Sequence, residues 1–238
     1  MNKLIFFDTE TTGNTEKDFL VQIAYKDGNN NFTGLYKPPV KIPPEASAVH
    51  HITNKMVENK SSFKDSGDLQ KIKKLFEDKD SIVVAHNAPF DLNIIGREGI
   101  TPNKFICTLR VARHLDPEGK IDRYNLQYLR YFLEIEVDAT AHDAMGDVLV
   151  LEKLYERLEK KIMETENLSK EKAIEKMVEI SSHPSLLRSF NFGKHLGKTI
   201  EEVLAVDRGY LVWLLAQKLE SDQIDEDWIY TLKYHLEK

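Results

Sequence analysis

The sequence predicts an α/β fold, a mixed central sheet flanked by helices, followed by a small α+β module at the C-terminal end. Three observations carry this. Apolar runs at residues 4–7 and 82–85 have the length and the branched or aromatic content of buried strands. Helical spacing follows or precedes such runs, as at Leu69, Ile72, Leu75 and Phe76. Beyond Pro184 the charged pattern gives way to a unit marked by Gly193, Gly197, Lys194 and Lys198 and carrying Tyr210, Trp213 and Trp228.

Taken in order, residues 19–25 and 32–36 flank the turn-rich segment 27–31, which predicts an antiparallel hairpin beside the first strand. Pro38, Pro39, Pro43 and Pro44 break regular structure, and Thr53 caps a short helix through Val57. A helix from Asp68 leads into the strand at 82–85, and Pro89 then opens another helix. A short strand at 105–107 precedes helices at 108–115 and 125–132. Thr140 and Asp143 have capping-box spacing and mark the start of a helix with apolar residues at Ala144, Val148, Leu151, Tyr155 and Leu158. Residues 160–183 alternate Lys and Glu around sparse apolar positions and read as exposed helix or linker. Three regions follow: 1–162, a linker or helix at 163–183, and 184–238.

A composition that is 41% hydrophobic and 30% charged is that of a globular protein with a real core. Cys107 is alone, which excludes an internal disulfide and fits a reducing compartment. The four apolar residues before Asp8 fall short of a signal-peptide core, and no run approaches the ~20 apolar residues of a membrane span. The expectation is a cytoplasmic protein with no membrane partner. The charge of -6 argues weakly against a general nucleic-acid coat, although a metal-dependent nuclease commits several acids to its ions.

Asp8 and Glu10 stand two apart behind the first strand and so project from the same face, where an open sheet places its crevice. Like charges that close repel, and a divalent cation is the usual compensation. Asp91 falls in the first turn of the helix opened by Pro89, where it either complements the helix dipole or ligates a metal. Asp147 lies four, seven and eleven residues before Leu151, Leu154 and Leu158, so its carboxylate borders a buried stripe and needs compensation. His142 is about 140° from Asp147 on a continuous helix and shares its site only from a frayed first turn or the preceding loop. Four carboxylates and one histidine suit phosphodiester hydrolysis with two Mg²⁺ or Mn²⁺ ions about 4 Å apart, His142 taking the proton of the attacking water. Gly193 to Thr199 is not a P-loop, because only three residues separate its glycines. Arg188, Lys194 and Lys198, interleaved with Phe190 and Phe192, form a basic and aromatic stretch of the kind that holds a nucleic-acid strand.

Asp8-Thr9-Glu10-Thr11-Thr12-Gly13, His86-Asn87-Ala88-Pro89-Phe90-Asp91 and the pair His142 and Asp147 resemble the three motifs of the DnaQ-like 3′→5′ exonucleases, in the subclass with histidine in the third motif. Within that family the chain resembles the exodeoxyribonuclease X branch over nearly its full length. The supporting stretches include Val49-His50-His51-Ile52-Thr53 and Gly209-Tyr210-Leu211-Val212-Trp213-Leu214. The resemblance implies a ribonuclease-H-like exonuclease fold, two-metal catalysis and release of 5′-mononucleotides from a DNA 3′ end, single- or double-stranded. By position, Thr9, Thr11, Thr12, His50, Asn87 and Phe90 resemble family residues lining the site of the 3′-terminal nucleotide. A short RNA is the alternative substrate, and a polymerase or repair protein is the alternative partner of the C-terminal module.

Overall fold

The computed structural model describes residues 3–15, 17–137, 144–221 and 225–237. Its centre is β1 (Lys3–Thr11). On one side β1 pairs antiparallel with β2 (Leu20–Asp27), which pairs antiparallel with β3 (Asn30–Leu35). On the other side lie β4 (Ser81–Ala85) and β5 (Phe105–Cys107), both parallel, giving the order β3-β2-β1-β4-β5. The helices of the main body are α1 (Pro44–His50), α2 (Asn54–Val57), α3 (Asp68–Phe76), α4 (Ala88–Arg97), α5 (Thr108–Leu115), α6 (Leu126–Phe132), α7 (Ala144–Glu166) and α8 (Lys170–Ser181).

Alternation along β1 divides the molecule into layers. Phe6 points to one face, where it joins Ala24, Ile82 and Val84 beneath side chains of α5, α7 and α8; its ring meets Tyr155 edge-on at 5.3 Å. Ile5 and Phe7 point to the other face and pack with Val83 and Ala85 against α3 and α4, Phe7 meeting Phe76 at 5.1 Å. Each such side chain, fully buried, contributes about 1.5–3 kcal/mol. Two buried faces explain why β1 and β4 read as unbroken apolar runs rather than alternating ones.

Three expectations change. Pro43 and Pro44 do not simply interrupt structure: they open α1, as N-cap and first helical residue, because a residue there needs no N–H partner. Of the two readings of residues 163–183 the helical one holds, but the helix is not wholly exposed. α7 continues to Glu166, and α8 buries Ala173, Ile174 and Met177 in the core while its lysines and glutamates face outward. The C-terminal module is essentially helical, its only strand pairing among the described residues being the bridge between Ser189 and Thr199 around a 3₁₀ turn at Gly193–His195. Helices α9 (Ile200–Val206), α10 (Arg208–Glu220) and α11 (Glu226–Leu236) complete it.

That module has its own small core of Phe190, Ile200, Val203, Leu211, Trp228 and Leu232, with Phe192 packed against it. The aromatic pair of the basic stretch therefore fills a core instead of facing solvent: Phe190 is 1% exposed and lies 5.0 Å from the Trp228 ring. Ion pairs hold the module to the main body. The Arg110 guanidinium, on α5, binds Glu226 and Ser181 O, and Arg113 binds Asp227, which also accepts from Ser185 N at 2.8 Å. Among the described residues no helix is long and apolar enough to cross a membrane.

Candidate active site

Asp8 and Glu10 share the Phe6 face of β1 and so point toward α7, whose first turn carries Asp147. Ligand oxygens of these three acids lie within 4.8 Å of one another. Asp8 and Glu10 stand within β1, not beyond its end, so the strand's hydrogen bonds fix their backbone. Burial, then the charges of Asp91, Glu10 and Asp147, pushes the Asp8 carboxyl well above the usual range. Three hard oxygen donors that repel one another in a partly buried place fit a divalent cation, which would replace the repulsion by attraction.

Asp91 belongs to the opposite layer. Rising from the first turn of α4, it accepts from Thr9 Oγ1 at 2.6 Å and from Thr9 N at 3.1 Å. Thr9 faces that layer because it is odd-numbered between two even-numbered acids. Asp91 is thereby held near Asp8, which feels its charge, without joining the close group of three. Burial raises its pKa to about 7, against the pull of the two Thr9 donors. His142, and with it Thr140 and Asp143, lies outside the described residues.

The other expected contacts are largely engaged within the protein. Thr11 Oγ1 donates to Gly13 O, and Thr12 Oγ1 donates to Asp18 at 2.8 Å, tying down the loop after β1. His50 Nδ1 accepts from Ile52 N at 3.0 Å, so Nε2 carries the proton and donates to Thr11 O at 3.2 Å. Asn87 and Phe90 differ. Asn87 is exposed in the left-handed conformation at φ 61°, which Asn tolerates better than most residues, and holds the N-cap position of α4 without a side-chain capping bond. Both line a cleft of about 1290 Å³ that leads from α4 past Arg113, Arg123 and Tyr124 to Asn191 and Gly197 of the C-terminal module. The acids themselves do not line it; its near end is made by Asn87, Pro89, Phe90 and Asn93, around Asp91 in the chain.

In the module, Lys194 is committed to Asp207 at 2.7 Å and stacks its ammonium over Tyr210. Arg188 and Lys198 are exposed. Two residues went unread in the sequence. Arg123 stands in the cleft with no acidic partner among the described residues, and Gln127 of α6 donates from Nε2 to Asp147 Oδ1 at 2.5 Å. Neither carries a local signal: each lies in a segment without a motif, and only tertiary packing brings it to the site.

Residues 5–155 match the family model described as Exonuclease, and residues 190–218 match Exodeoxyribonuclease X-like C-terminal. The chain belongs to the exonuclease family. Exodeoxyribonuclease 10 of Escherichia coli strain K12 is 32% identical over 240 residues, covering 98% of this exonuclease and 99% of that protein. A solved structure of exonuclease X in complex with 5′ overhanging duplex DNA matches with a TM-score of 0.58 at 27% identity, over 75% of this chain and 99% of that one. Escherichia coli exonuclease I, solved with a dT13 oligonucleotide, shares the fold at a TM-score of 0.59 and 22% identity, over 70% of this chain and 43% of that one. The ribonuclease-H-like exonuclease fold expected from the motifs is thus the fold found. The family depends on divalent metal, and the acidic group of Asp8, Glu10 and Asp147 supplies the donors for it.

Proposed function

We propose that this exonuclease hydrolyses DNA from the 3′ end, releasing nucleoside 5′-monophosphates, with two Mg²⁺ or Mn²⁺ ions held by Asp8, Glu10, Asp91 and Asp147. The observation that carries the reading is the convergence of Asp8, Glu10 and Asp147 from a strand and a helix onto one point within 4.8 Å. When bound, the ions supply Lewis-acid stabilisation of the attacking and leaving oxygens. The chain's own residues do the rest. Thr9 fixes Asp91 by two donors, so that carboxylate approaches from the α4 layer in one orientation. His142 accepts a proton from the attacking water, a task for a side chain that titrates near neutrality. The water oxygen bonds to phosphorus as the P–O3′ bond breaks, so the departing nucleotide keeps the phosphate on its 5′ oxygen and O3′ stays on the shortened strand, taking a proton from solvent to become its new 3′-hydroxyl.

That Asn87 and Phe90 line the cleft supports a role for both at the terminal nucleotide, Phe90 by stacking on the base and Asn87 by its amide. Thr11, Thr12 and His50 belong to the same reading by their place in the sequence, and their internal bonds hold the segment that follows Glu10. From there the cleft offers the upstream strand a path along Arg123 to the exposed Arg188 and Lys198 region. Digestion of matched 3′-labelled DNA and RNA strands, with Mg²⁺ and with chelator, tests the reading. The expected result is metal-dependent release of labelled 5′-mononucleotide, faster from DNA. Label lost equally in chelator, or RNA consumed faster than DNA, would replace it.

A further inference from the structure

We propose that Gln127 is a positioning residue for Asp147, holding one carboxylate oxygen so that the other is presented to the metal. The inference rests on the proposed metal site and adds to it a residue outside the three motifs. Its amide Nε2 donates to Asp147 Oδ1 at 2.5 Å, across the gap between α6 and α7. Asp147 sits on the first turn of α7, 8% exposed, with its carboxylate facing Asp8 and Glu10. A carboxylate on a single rotatable stem among other carboxylates turns away from them unless a donor fixes it; a neutral amide does this without adding charge.

A second feature separates positioning from packing. Gln127 Oε1 is buried and has no hydrogen-bond partner among the described residues. An unsatisfied buried oxygen is a penalty that an apolar side chain of the same shape would not carry. The amide is therefore destabilising as a space-filler and useful only through its donor. Its helix is well anchored for the purpose: Asn125 caps α6 by accepting from Tyr128 N at 2.9 Å, and Leu129 is buried in the core of the α7 layer.

The test compares wild type with Gln127→Met, which keeps the shape and removes the donor, and Gln127→Leu as a second apolar variant, in the full chain. Thermal melts in chelator should show both variants folded, because relief of the unpaired Oε1 offsets the donor withdrawn from Asp147. Mn²⁺ binding without DNA, read from the free-ion electron paramagnetic resonance signal, should weaken by about 10–100-fold, as for other residues that orient metal ligands. The kcat should fall while KM for a long strand stays within about twofold. Asp147→Asn serves as the reference. If it loses Mn²⁺ binding while the folded Gln127→Met retains wild-type affinity and kcat, the positioning role is overturned and the metal site stands. If Asp147→Asn also binds Mn²⁺ as wild type does, the metal site falls, and the role of Gln127 with it. Should Gln127→Leu unfold, Gln127→Met alone decides, and a lower melting temperature combined with wild-type Mn²⁺ affinity and kcat would assign the residue to structure.

Discussion

Thr9 stands between the two carboxylates of β1 and gives both its hydroxyl and its backbone N–H to a third, Asp91. Asp91→Asn keeps an acceptor oxygen for Thr9 but removes one charge that bears on Asp8. With divalent ions chelated at pH 8, that variant should be more stable than wild type by about 1–3 kcal/mol, read as a higher urea midpoint, while losing activity and most of its stabilisation by Mn²⁺. Equal midpoints in chelator would show that these carboxylates do not repel. His86 gives a second prediction, at the end of β4. Its Nε2 donates to Tyr124 O at 2.6 Å, and its Nδ1 lies 2.9 Å from Thr108 Oγ1, whose hydroxyl also reaches Ala85 O at 3.3 Å. Burial lowers its pKa to about 4. A folded pKa below the ordinary value of about 6.5 means the contribution is complete above that pH and is lost as pH falls toward about 4. The stability advantage of wild type over His86→Gln should shrink across that window; a constant difference from neutral pH down to about 4.5 would count against it. Strand parity made Asp8 and Glu10 legible in the sequence, since it is a local property. The anchoring of Asp91 by Thr9 was not legible, because the two meet only once α4 has packed on the opposite face.

The elements most readily foreseen are those whose apolar pattern is local and complete, such as β4 and α3. Misjudged elements are those whose sense comes from a partner. The apolar residues of α8 are sparse, yet Ala173 and Met177 suffice because β5 and α5 lie beneath them, and Ser181 Oγ accepts from Cys107 N at 2.8 Å. Basic residues of α5 looked unremarkable in sequence, but Arg110 is 5% exposed and joins three elements through Ser181 O, Glu226 and Asp227. Burial raises the Asp227 pKa even against Arg113, Ser185 N and Arg110, so this contact is a desolvated one that depends on every partner. Asp227→Ala should leave Arg110, Arg113 and Ser185 N short of an acceptor and destabilise the protein by about 3–5 kcal/mol. Urea unfolding followed by Trp213 and Trp228 fluorescence, which reports on the module, and by circular dichroism, which reports on the whole, should then separate into two transitions. Coincident curves at the wild-type midpoint would mean the α5 ion pairs do not hold the module.

At the scale of the molecule, a cleft that begins at Asn87 and Phe90, chain neighbours of Asp91, has the C-terminal module as its far wall. An overall charge of -6 gives no hint of a strand path, because the cations that matter are few and are distinguished by what they lack. Lys194 is already neutralised by Asp207, whereas Arg123 and Lys198 have no acidic partner among the described residues. Each contact with a phosphate releases counterions, so removing one should flatten the plot of log affinity against log salt by about 0.7 for a single strand. Arg123→Ala and Lys198→Ala should each weaken binding of long strands and lower the slope by that amount, measured on protein made inactive by Asp147→Asn. Lys194→Ala should change the slope less, since its charge is compensated before DNA arrives. Substrates of two or three nucleotides, reaching only Asn87 and Phe90, should be cut at nearly wild-type rate by the Arg123 and Lys198 variants in the active background. If the slope for long strands is the same with and without Arg123, the strand does not follow this cleft. The ionic contacts of α5 then serve only to hold the module, and the module's surface is free for a protein partner.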